Sequence, residues 1–270
     1  MRALIRDYRA FVSLGPGGTP STLEGYLRVK FLSLFALRDP YQPAQIPPTL
    51  SPQTGCIKFL SQREGPRPHV RGIAPHRQIN QKAPPAAFHA LSHAIEDMAL
   101  NSENCLRLGT SCLEKHGPGL FTANTPWHLT RNCSGEICHA HPSDGSLHLV
   151  LHPADAAVVL QTGWGERHPL AKGGWLSRFV PAGFIMVYAP RDMKEVEVVS
   201  KIIAAAVWWI GGVNVDGHAI ETSKAAHEKL TPFANWDVKC GKAELKEKLV
   251  VPVRGALMED CHMPGLVEKS

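Results

Sequence analysis

The stretch 136–152, EICHAHPSDGSLHLVLH, constrains the fold more than any other part of the chain. Its apolar and polar residues alternate on both sides of Asp144-Gly145, a pattern typical of two half-buried strands. Asp-Gly is a residue pair that a two-residue type I′ turn prefers, because both central residues need a positive φ. The stretch therefore predicts an antiparallel hairpin with Asp144 and Gly145 as its turn.

The predicted register gathers histidine side chains on one face of this hairpin. A two-residue turn pairs His141 with His148 and His139 with Val150, and directly opposed residues project to the same face. Residues two apart along a strand share that face as well. The face then carries these three histidines, with His152 at its end, while the intervening leucines point into a core.

Three imidazoles on one face suit two kinds of chemistry. One histidine can act as a general base near neutral pH while its neighbours orient it. Alternatively, three neutral imidazoles can hold a transition metal with an open coordination position. In that second hypothesis Glu114 or His116 would complete the metal's shell. The spacing alone does not choose between a base, a metal site and a polar face that is merely rich in histidine.

Further helices and strands flank the hairpin. Apolar periodicity, capping residues and turn residues place them as follows: helices over 2–12, 23–37 and 86–100, a helix from Pro153 to a stop at Gly163, a helix from the N-cap Asp192 to Gly211, a strand–turn–strand unit over 110–123, and a strand in GFIMVYAPR (183–191). Hairpins between amphipathic helices indicate an α+β fold. We expect a mostly antiparallel β-sheet with a His-bearing hairpin, packed against amphipathic helices.

Composition along the chain suggests three parts. Residues 1–54 form an N-terminal helical and proline-rich segment, in which the five prolines of 39–54 exclude a helix and favour an extended surface connection. Residues 55–213 would form the α+β catalytic domain. Residues 214–270 would be a charged C-terminal extension.

Three short motifs add candidates for a binding pocket. The loop REGPRP presents Arg63 and Arg67, whose guanidinium groups suit enolate or carboxylate oxygens. The motif LEKHG places Glu114 and His116 on one face of a predicted strand, where an acid can fix the tautomer of an imidazole. A glycine-rich loop, GWGERHPLA, supplies an aromatic wall beside polar groups. The candidates in that loop are Trp164, Glu166, Arg167 and His168.

Charge and hydropathy exclude some function classes. The net charge of +5 comes without a dense run of Lys and Arg, so no nucleic acid is expected as a partner. No stretch of 18 uninterrupted apolar residues is present, and residues 23–37 would pack on the core or make peripheral membrane contact. The seven cysteines include no CxxC pair and no signal peptide precedes them, so we expect reduced thiols in the cytoplasm.

Several longer motifs together resemble the fungal luciferase family, whose enzymes oxidise 3-hydroxyhispidin with molecular oxygen. The resemblance covers most of residues 5–210. It runs through these motifs in order: IRDYRAFVSLGP, GYLRVKFLSLF, REGPRPHV, HRQ, LEKHG, EICHAHPSDGSLHLVL, GWGERHPLA and VYAPRDMKEVEVV.

The resemblance implies a luciferase-type oxygenase that adds molecular oxygen to an enolisable hydroxypyrone, with loss of carbon dioxide and with light in luminous cases. It implies no cofactor beyond molecular oxygen, whereas the histidine face by itself leaves a divalent metal open. The partners would be the small hydroxypyrone and oxygen. A non-luminous relative that binds a different small apolar ligand is the remaining alternative.

The chemistry of such a reaction assigns roles to the candidate residues. One of His139, His141 or His148 would be the base. A cation, Arg63 or Arg67, would hold the enolate or the peroxide anion. Trp164 and Tyr188 would be walls of the pocket.

Two departures from the family pattern bear on these expectations. Luminous members carry an apolar anchor ahead of the RDY motif, and only four residues precede Ile5 here. A cytoplasmic protein is therefore expected, membrane-associated if an anchor precedes residue 1. The turn in HAHPSDGSLH is one residue shorter than in the luminous enzymes.

Overall fold

Helices and two antiparallel sheets make up the computed structural model, which describes residues 2–100, 105–123 and 135–212. The helices are α1 Arg2–Val12, α2 Leu23–Ser33, α3 Pro85–Leu100, α4 Pro153–Gln161 and α5 Met193–Gly211. The strands are β1 Val70–Gly72, β2 His76–Gln78, β3 Leu106–Thr110, β4 Pro118–Thr122, β5 Glu136–Ala140, β6 Leu147–Val150, β7 Gly165–Arg167 and β8 Phe184–Val187. The predicted α+β fold is confirmed. The expected extension over 214–270 lies outside the described residues.

The larger sheet has six strands in the order β3-β4-β5-β6-β8-β7, and every neighbouring pair is antiparallel. The short β1 and β2 form a second, two-stranded sheet. β5 and β6, which carry the histidine hairpin, therefore lie in the middle of the larger sheet. Strand β8 inserts between β6 and β7, so the sheet order departs from the chain order only at this edge.

The ends of α5 follow the capping prediction closely. Asp192 Oδ1 accepts a hydrogen bond from the Glu195 backbone N–H at 2.9 Å, and Glu195 Oε2 accepts one from the Arg191 N–H at 2.8 Å. The first bond satisfies a donor that the first helical turn leaves without an intrahelical partner, and the second ties the residue before the cap to the helix. The helix stops at Gly212, which has the left-handed φ of +67° that a C-terminal glycine adopts easily. The last helical residue is Gly211, as predicted.

The two-residue turn predicted for the hairpin is wrong. His139 pairs with His148, not with Val150, and the turn contains four residues, 142–145. Its closing bond runs from the His141 N–H to the Ser146 carbonyl, 2.8 Å away. A type I′ turn needs a positive φ at both central residues, but only Gly145 adopts one, +82°.

Asp144 instead uses its side chain within the turn. Its Oδ1 accepts hydrogen bonds from the backbone N–H of Ser146 at 2.8 Å and from the Ser146 hydroxyl at 2.5 Å. Such local bonds let Asp stabilise a turn without a positive φ. The partner of each β5 residue shifts by two residues along β6, so each side chain keeps the face that was predicted for it.

The two faces of the larger sheet differ in character. Cys138, Leu149 and Ile185 share one face, and they belong to the same buried apolar cluster as Val199 and Ile203 of α5. Helices α3 and α5 pack against this side. The opposite face carries the histidines of β5 and β6, and β2 contacts it through a hydrogen bond between His76 and His148.

The N-terminal helices pack on the rest of the described chain with one side only. Tyr26 and Val29 of α2 are buried in the main apolar cluster, whereas Leu27 and Phe31 are more than half exposed. The structure therefore agrees with packing on the core and leaves membrane contact a prediction. Among the described residues, no helix is both long enough and apolar enough to cross a membrane.

The proline-rich segment has neither helix nor strand over residues 39–54, as predicted. Its far end is tied to α4 by Asp155, whose carboxylate accepts hydrogen bonds from the backbone N–H groups of Cys56 at 3.0 Å and Ile57 at 2.6 Å. Because Asp155 is fully buried, these two bonds replace the hydration that its carboxylate loses.

The cysteines differ from expectation. Cys105 and Cys138 carry free thiols, whereas Cys56 and Cys112 are disulfide-bonded. The expectation that all thiols are reduced is therefore wrong for these two residues. A disulfide needs cysteines that are close in the fold, not close in sequence, so the absence of a CxxC pair does not exclude one.

Candidate active site

Five histidine side chains pack together on the polar face of the larger sheet. They come from β2, β5, the residue after β5, β6 and the residue after β7, and none is more than 5 % exposed. The residues are His76, His139, His141, His148 and His168. His148 lies at the centre, with its ring centroid between 4.7 and 5.5 Å from those of the other four. The predicted face exists, and the fold adds His76 and His168 to it.

Three of these histidines, together with Ser146 and Asp144, form a hydrogen-bonded chain with a defined direction. Because the Ser146 hydroxyl donates to Asp144, its oxygen accepts from His141 Nδ1 at 2.9 Å. In neutral His141 that leaves Nε2 as the acceptor for His148 Nδ1 at 3.0 Å. In neutral His148, Nε2 then accepts from His76 Nδ1 at 3.1 Å. The Asp144 carboxylate thus fixes the tautomer of each histidine in turn.

A carboxylate also stands at the other end of the chain. His76 Nε2 lies 3.4 Å from Glu166 Oε1, and Glu166 Oε2 accepts a hydrogen bond from the Tyr188 hydroxyl at 3.0 Å. Tyr188 is fully buried, and burial raises the pKa of its phenol, so it stays protonated and acts as a donor. His76 therefore lies between the histidine chain and the Glu166 carboxylate.

His139 stands apart from the chain and has a carboxylate of its own. Its Nδ1 donates to Glu136 Oε1 at 2.6 Å. Glu136 also accepts the Ser111 hydroxyl at 2.7 Å and the backbone N–H groups of Cys112 and Leu113. Four donors thus satisfy this buried carboxylate. Since Nδ1 carries the proton, the Nε2 lone pair of His139 is left for a proton or a ligand.

Burial keeps the central imidazoles neutral. It lowers the pKa of His141 and of His148 well below the usual histidine value, and the neighbouring histidines lower both further. The pKa of His168 is lowered in the same way. Neutral rings are required both for a general base and for a metal ligand, so both kinds of chemistry remain open.

His168 has a structural role in this cluster. Its Nε2 donates to the carbonyl of Ile73 at 2.8 Å, and its Nδ1 accepts from the backbone N–H of Leu170 at 3.2 Å. Both ring nitrogens are used, so His168 cannot bind a ligand without breaking a backbone contact. It fixes the segment before β2 against the segment after β7.

The two candidate arginines differ. Arg67 donates to the carbonyls of Gly165 at 2.8 Å and Leu160 at 2.5 Å, so its guanidinium holds the backbone around β7. Arg63 lies over the rings of Tyr188 and Trp164, at 5.6 and 6.0 Å from their centroids, and its Nε is buried without a partner. Of the two, Arg63 has hydrogen-bonding capacity to spare.

The segment predicted as a glycine-rich loop is instead the edge strand β7. In its register Glu166 faces Met186 and Arg167 faces Ile185, so the two side chains project to opposite faces of the sheet. Arg167 donates to the Gln42 carbonyl at 3.3 Å and holds the proline-rich segment, away from the histidines. Pairing with β8, in which Gly165 faces Val187, gives this segment a strand backbone despite its glycines.

Trp164 and Tyr188 lie near each other under Arg63, as expected for walls of one region. The Trp164 indole N–H donates to the Ser61 carbonyl at 2.6 Å. Both rings are at most 3 % exposed. They lie at the Glu166 end of the histidine chain.

Glu114 and His116 do not join the site. They lie in the connection between β3 and β4, not on a strand, and His116 is exposed. Glu114 is ion-paired with Arg77. The positive φ values of Lys115, +61°, and Gly117, +70°, turn the chain here. Neither residue completes a metal shell on the histidine face.

Sequence reasoning missed four residues that organise the site. They are His76, Glu136, Asp144 and Ser146. The last three are within five residues of a predicted histidine, and an acid or hydroxyl so close to His139 or His141 is a signal that could have identified them. His76 is 63 residues before His139, and no local pattern points to it.

Two groups of three histidines bring one ring nitrogen each within 4.8 Å of one another. One group is His139, His141 and His148, as predicted for a metal site. The other is His76, His148 and His168. The second group includes the ring whose two nitrogens are bound to backbone, so the first is the better candidate.

A cavity of about 880 Å³ opens between the proline-rich segment and the end of β7. Its lining includes Arg38, Gln42, Ile46, Arg167 and Lys172, and none of the clustered histidines. It lies on the side of β7 to which Arg167 points. The cavity is therefore separate from the histidine cluster.

Known proteins resemble the chain over most of its length. A family model described as a luciferase domain matches residues 134–206, which include β5, β6 and most of the site. A luciferase from Armillaria mellea is 33 % identical over 219 residues, which are 76 % of this chain and 80 % of the relative. A luciferase from Neonothopanus nambi is 32 % identical over 232 residues, 81 % of this chain and 85 % of the relative. No solved structure matches the chain.

Proposed function

Since the chain belongs to the family of the fungal luciferases, we propose that it is an oxygenase that adds molecular oxygen to an enolisable hydroxypyrone of the 3-hydroxyhispidin type. The observation that carries the proposal is the histidine cluster inside the segment that matches the luciferase domain. Carbon dioxide would leave and light could accompany the reaction. The enolate of such a pyrone is itself electron-rich, so the chemistry requires no flavin, haem or nucleotide.

In the route without a metal, His139 is the base. Its Nε2 is the ring nitrogen without a hydrogen-bond partner, and the Glu136 carboxylate bonded to Nδ1 stabilises the imidazolium that forms when the hydroxyl proton arrives. His141 and His148 use both ring nitrogens in the chain described above. This geometry favours His139 over His141, which the predicted register had placed at the centre of the cluster.

Arg63 is the cation proposed to stabilise the enolate or the peroxide anion. Its side chain is 1 % exposed, its nearest carboxylate oxygen, on Glu195, is 4.0 Å away, and its Nε has no partner. A buried guanidinium with an unused donor attracts an anion strongly because little water competes. Trp164 and Tyr188 would form an aromatic wall beside it.

The direct test follows oxygen uptake and light when the purified protein meets 3-hydroxyhispidin in air. His139→Ala should lower the oxygen uptake rate by about 10²–10⁴, the usual contribution of a general base. His93→Ala is the matched control, because His93 is an exposed histidine of α3 with only a surface ion pair to Glu96. Its rate should equal that of the wild type.

Absence of both oxygen uptake and light in the folded wild type would reject the hydroxypyrone as substrate. A wild-type rate in His139→Ala would reject the base. A panel of smaller pyrones and other enolisable phenylpropanoids, followed by oxygen uptake, distinguishes a different substrate from an inactive protein.

A metal-dependent enzyme is the second candidate. The convergence of nitrogens from His139, His141 and His148 within 4.8 Å favours it. The two routes exclude each other at His139 Nε2, which cannot accept a proton and bind a metal at once. Metal content therefore decides between them.

A further inference from the structure

We propose that His139, His141 and His148 form a binding site for one divalent transition-metal ion, with three carboxylates behind the three imidazoles. This inference concerns the residues that the proposed oxygenase would use, and it does not depend on the identity of the substrate. It would change how the hydroxypyrone is activated, from a free imidazole base to a metal-bound hydroxyl group.

The three ligands are held rigidly in neighbouring positions. His139 and His148 are directly paired across β5 and β6, and His141 follows two residues after His139. An ion would bind Nε2 of His139, which has no hydrogen-bond partner, and would replace the hydrogen bond that joins Nε2 of His141 to Nδ1 of His148. The last two are 3.0 Å apart. Two imidazole nitrogens on a tetrahedral zinc ion are about 3.3 Å apart, so a small outward movement accommodates the ion.

Each of the three imidazoles is backed by a carboxylate. His139 Nδ1 bonds to Glu136 directly, at 2.6 Å. His141 Nδ1 reaches Asp144 through the Ser146 hydroxyl. A carboxylate or hydroxyl bonded to the second ring nitrogen is the arrangement that orients metal-binding histidines and raises their basicity.

The third imidazole has the same support through one more ring. His148 Nε2 lies 3.1 Å from His76 Nδ1, and His76 Nε2 lies 3.4 Å from Glu166. With a metal on Nδ1, His148 donates from Nε2 to His76, and His76 donates from Nε2 to Glu166. This part of the hydrogen-bonded chain then runs in the opposite direction, and every nitrogen still has a partner.

Charge balance points to a cation at the centre. Glu136, Asp144 and Glu166 are at most 6 % exposed, and among the described residues none of the three has an ion pair with Arg or Lys. Buried carboxylates without an Arg or Lys partner favour a positive charge nearby. One divalent ion bound to the three imidazoles supplies such a charge beside the rings that these carboxylates support.

The ligand set selects the class of metal. Three imidazoles without thiolate or direct carboxylate suit Zn²⁺, Fe²⁺, Ni²⁺ or Cu²⁺, and not Ca²⁺ or Mg²⁺, which prefer oxygen. Three protein ligands leave at least one position open, as in catalytic sites. Adjacent hydroxyl and carbonyl oxygens, such as those of a hydroxypyrone, can occupy open positions on such an ion.

The experiment measures bound metal in the untagged full chain by elemental analysis, first as purified without chelator and then after loading with Co²⁺. We expect about one ion per chain and the visible absorption of a four- or five-coordinate cobalt centre. Melting of the chelator-treated wild type should also shift to higher temperature when Zn²⁺ or Co²⁺ is added, because an ion that binds the folded state stabilises it.

Variants then locate the site. His139→Ala and His148→Ala should lose the ion, and Glu136→Gln should weaken its affinity by about 10–100-fold while it keeps the three ligands. The matched controls are His93→Ala and Glu96→Gln, which remove an exposed histidine and its acidic partner. Both should bind the ion as the wild type does.

Less than about a tenth of an ion per chain after loading, with no melting shift, would overturn the proposal, since a three-imidazole site binds such ions far more completely. Equal loading in the wild type and the folded His139→Ala and His148→Ala variants would do so too. Oxygen uptake separates this proposal from the proposed function. A metal-free protein that consumes oxygen with the hydroxypyrone retains the oxygenase and loses the metal site. A loaded protein inactive toward the hydroxypyrone retains the metal site alone.

Discussion

At the scale of single residues, the sequence predicted which histidines share a face but not how each ring is used. His139, His141 and His148 were placed together because alternation along a strand is local. His76 reaches His148 only through the way β2 lies on the larger sheet, and no pattern near residue 76 reports that. The proposal of His139 as base depends on the three-dimensional structure, because contacts between strands decide which ring nitrogens already have hydrogen-bond partners.

The buried histidines make the stability of the fold sensitive to acid. The pKa values of His141, His148 and His168 are lowered well below the usual histidine value. In the unfolded chain each titrates near pH 6.5, so below about pH 6.5 the unfolded state binds protons that the folded state excludes. As the pH decreases below about 6.5, the free energy of unfolding should therefore fall by about 1.4 kcal/mol per pH unit for each histidine, and by up to about 4 kcal/mol per unit for all three.

Urea unfolding between about pH 7 and about pH 5 measures this loss. The His93→Ala protein should show the same slope, because His93 is exposed. A metal on the ring nitrogens also keeps them unprotonated, so it leaves the direction unchanged. An unfolding free energy independent of pH over this range contradicts neutral histidines in the folded state.

At the scale of elements, helix ends were predicted better than turns. Pro153 and Asp192 mark the starts of α4 and α5 because proline loses no hydrogen bond in a helix's first turn and an N-cap side chain accepts one from it. The two-residue turn predicted at Asp144-Gly145 is wrong because hydrogen bonds from Ser146 to the Asp144 side chain stabilise a longer turn. The loop predicted for GWGERHPLA is wrong at β7, because pairing with β8 overrides the loop preference of the glycines.

Gly145→Ala should destabilise the turn that holds Asp144 and Ser146. Gly145 has a φ of +82°, and a Cβ there would lie 2.3 Å from the Cβ of Ala83. Backbone strain and this clash together should cost about 3 kcal/mol in urea unfolding. Gly117→Ala is the control, because Gly117 has a φ of +70° but nothing within 4 Å of its Cβ position, and strain alone should cost about 1 kcal/mol. Equal losses in the two variants would mean that Ala83 does not restrict the turn.

The exposed side of α2 provides a test of the predicted membrane contact. Leu27 is 57 % exposed and Phe31 is 58 % exposed, and the exposed Arg28 and Lys30 lie beside them. Apolar side chains flanked by basic ones bind anionic membrane surfaces. Leu27→Asp should therefore reduce co-sedimentation with anionic phospholipid vesicles several-fold, since a carboxylate replaces the inserting group. Leu108→Asp changes a 40 % exposed leucine on β3 and should bind as the wild type does. No vesicle binding by the wild type would reject the contact.

At the scale of the whole molecule, sequence predicted the fold class but not the long-range order. Amphipathic helices around a hairpin indicate an α+β fold through local patterns. The insertion of β8 between β6 and β7, and the position of β2 over the histidines, depend on contacts between distant residues. The same holds for Asp155, which bonds to backbone groups 98 and 99 residues away.

Asp155→Ala should release the proline-rich segment from α4. The variant leaves the N–H groups of Cys56 and Ile57 without their acceptor, and bonds to a charged group contribute about 1.5–3 kcal/mol each. We expect about 3 kcal/mol less stability in urea unfolding and faster proteolysis within 39–54. Asp192→Ala removes a helix cap instead, and should cost about 1 kcal/mol without changing cleavage of that segment. Unchanged proteolysis in Asp155→Ala would show that the segment is held by other contacts.

The central position of β5 and β6 has a consequence for how the molecule opens. Each of these strands is hydrogen-bonded on both sides, and the free sheet edges are β3 and β7. The amide protons of β5 and β6 should exchange with solvent only when the whole fold opens. Those of β1, β2 and the segment around residue 73 can exchange through local opening. His76 and the Ile73 carbonyl contact His148 and His168, so local opening of residues 70–78, the covering layer, would expose the histidines. The rate of amide exchange in the covering layer, not in the strands that carry the histidines, would then measure how often the site is open.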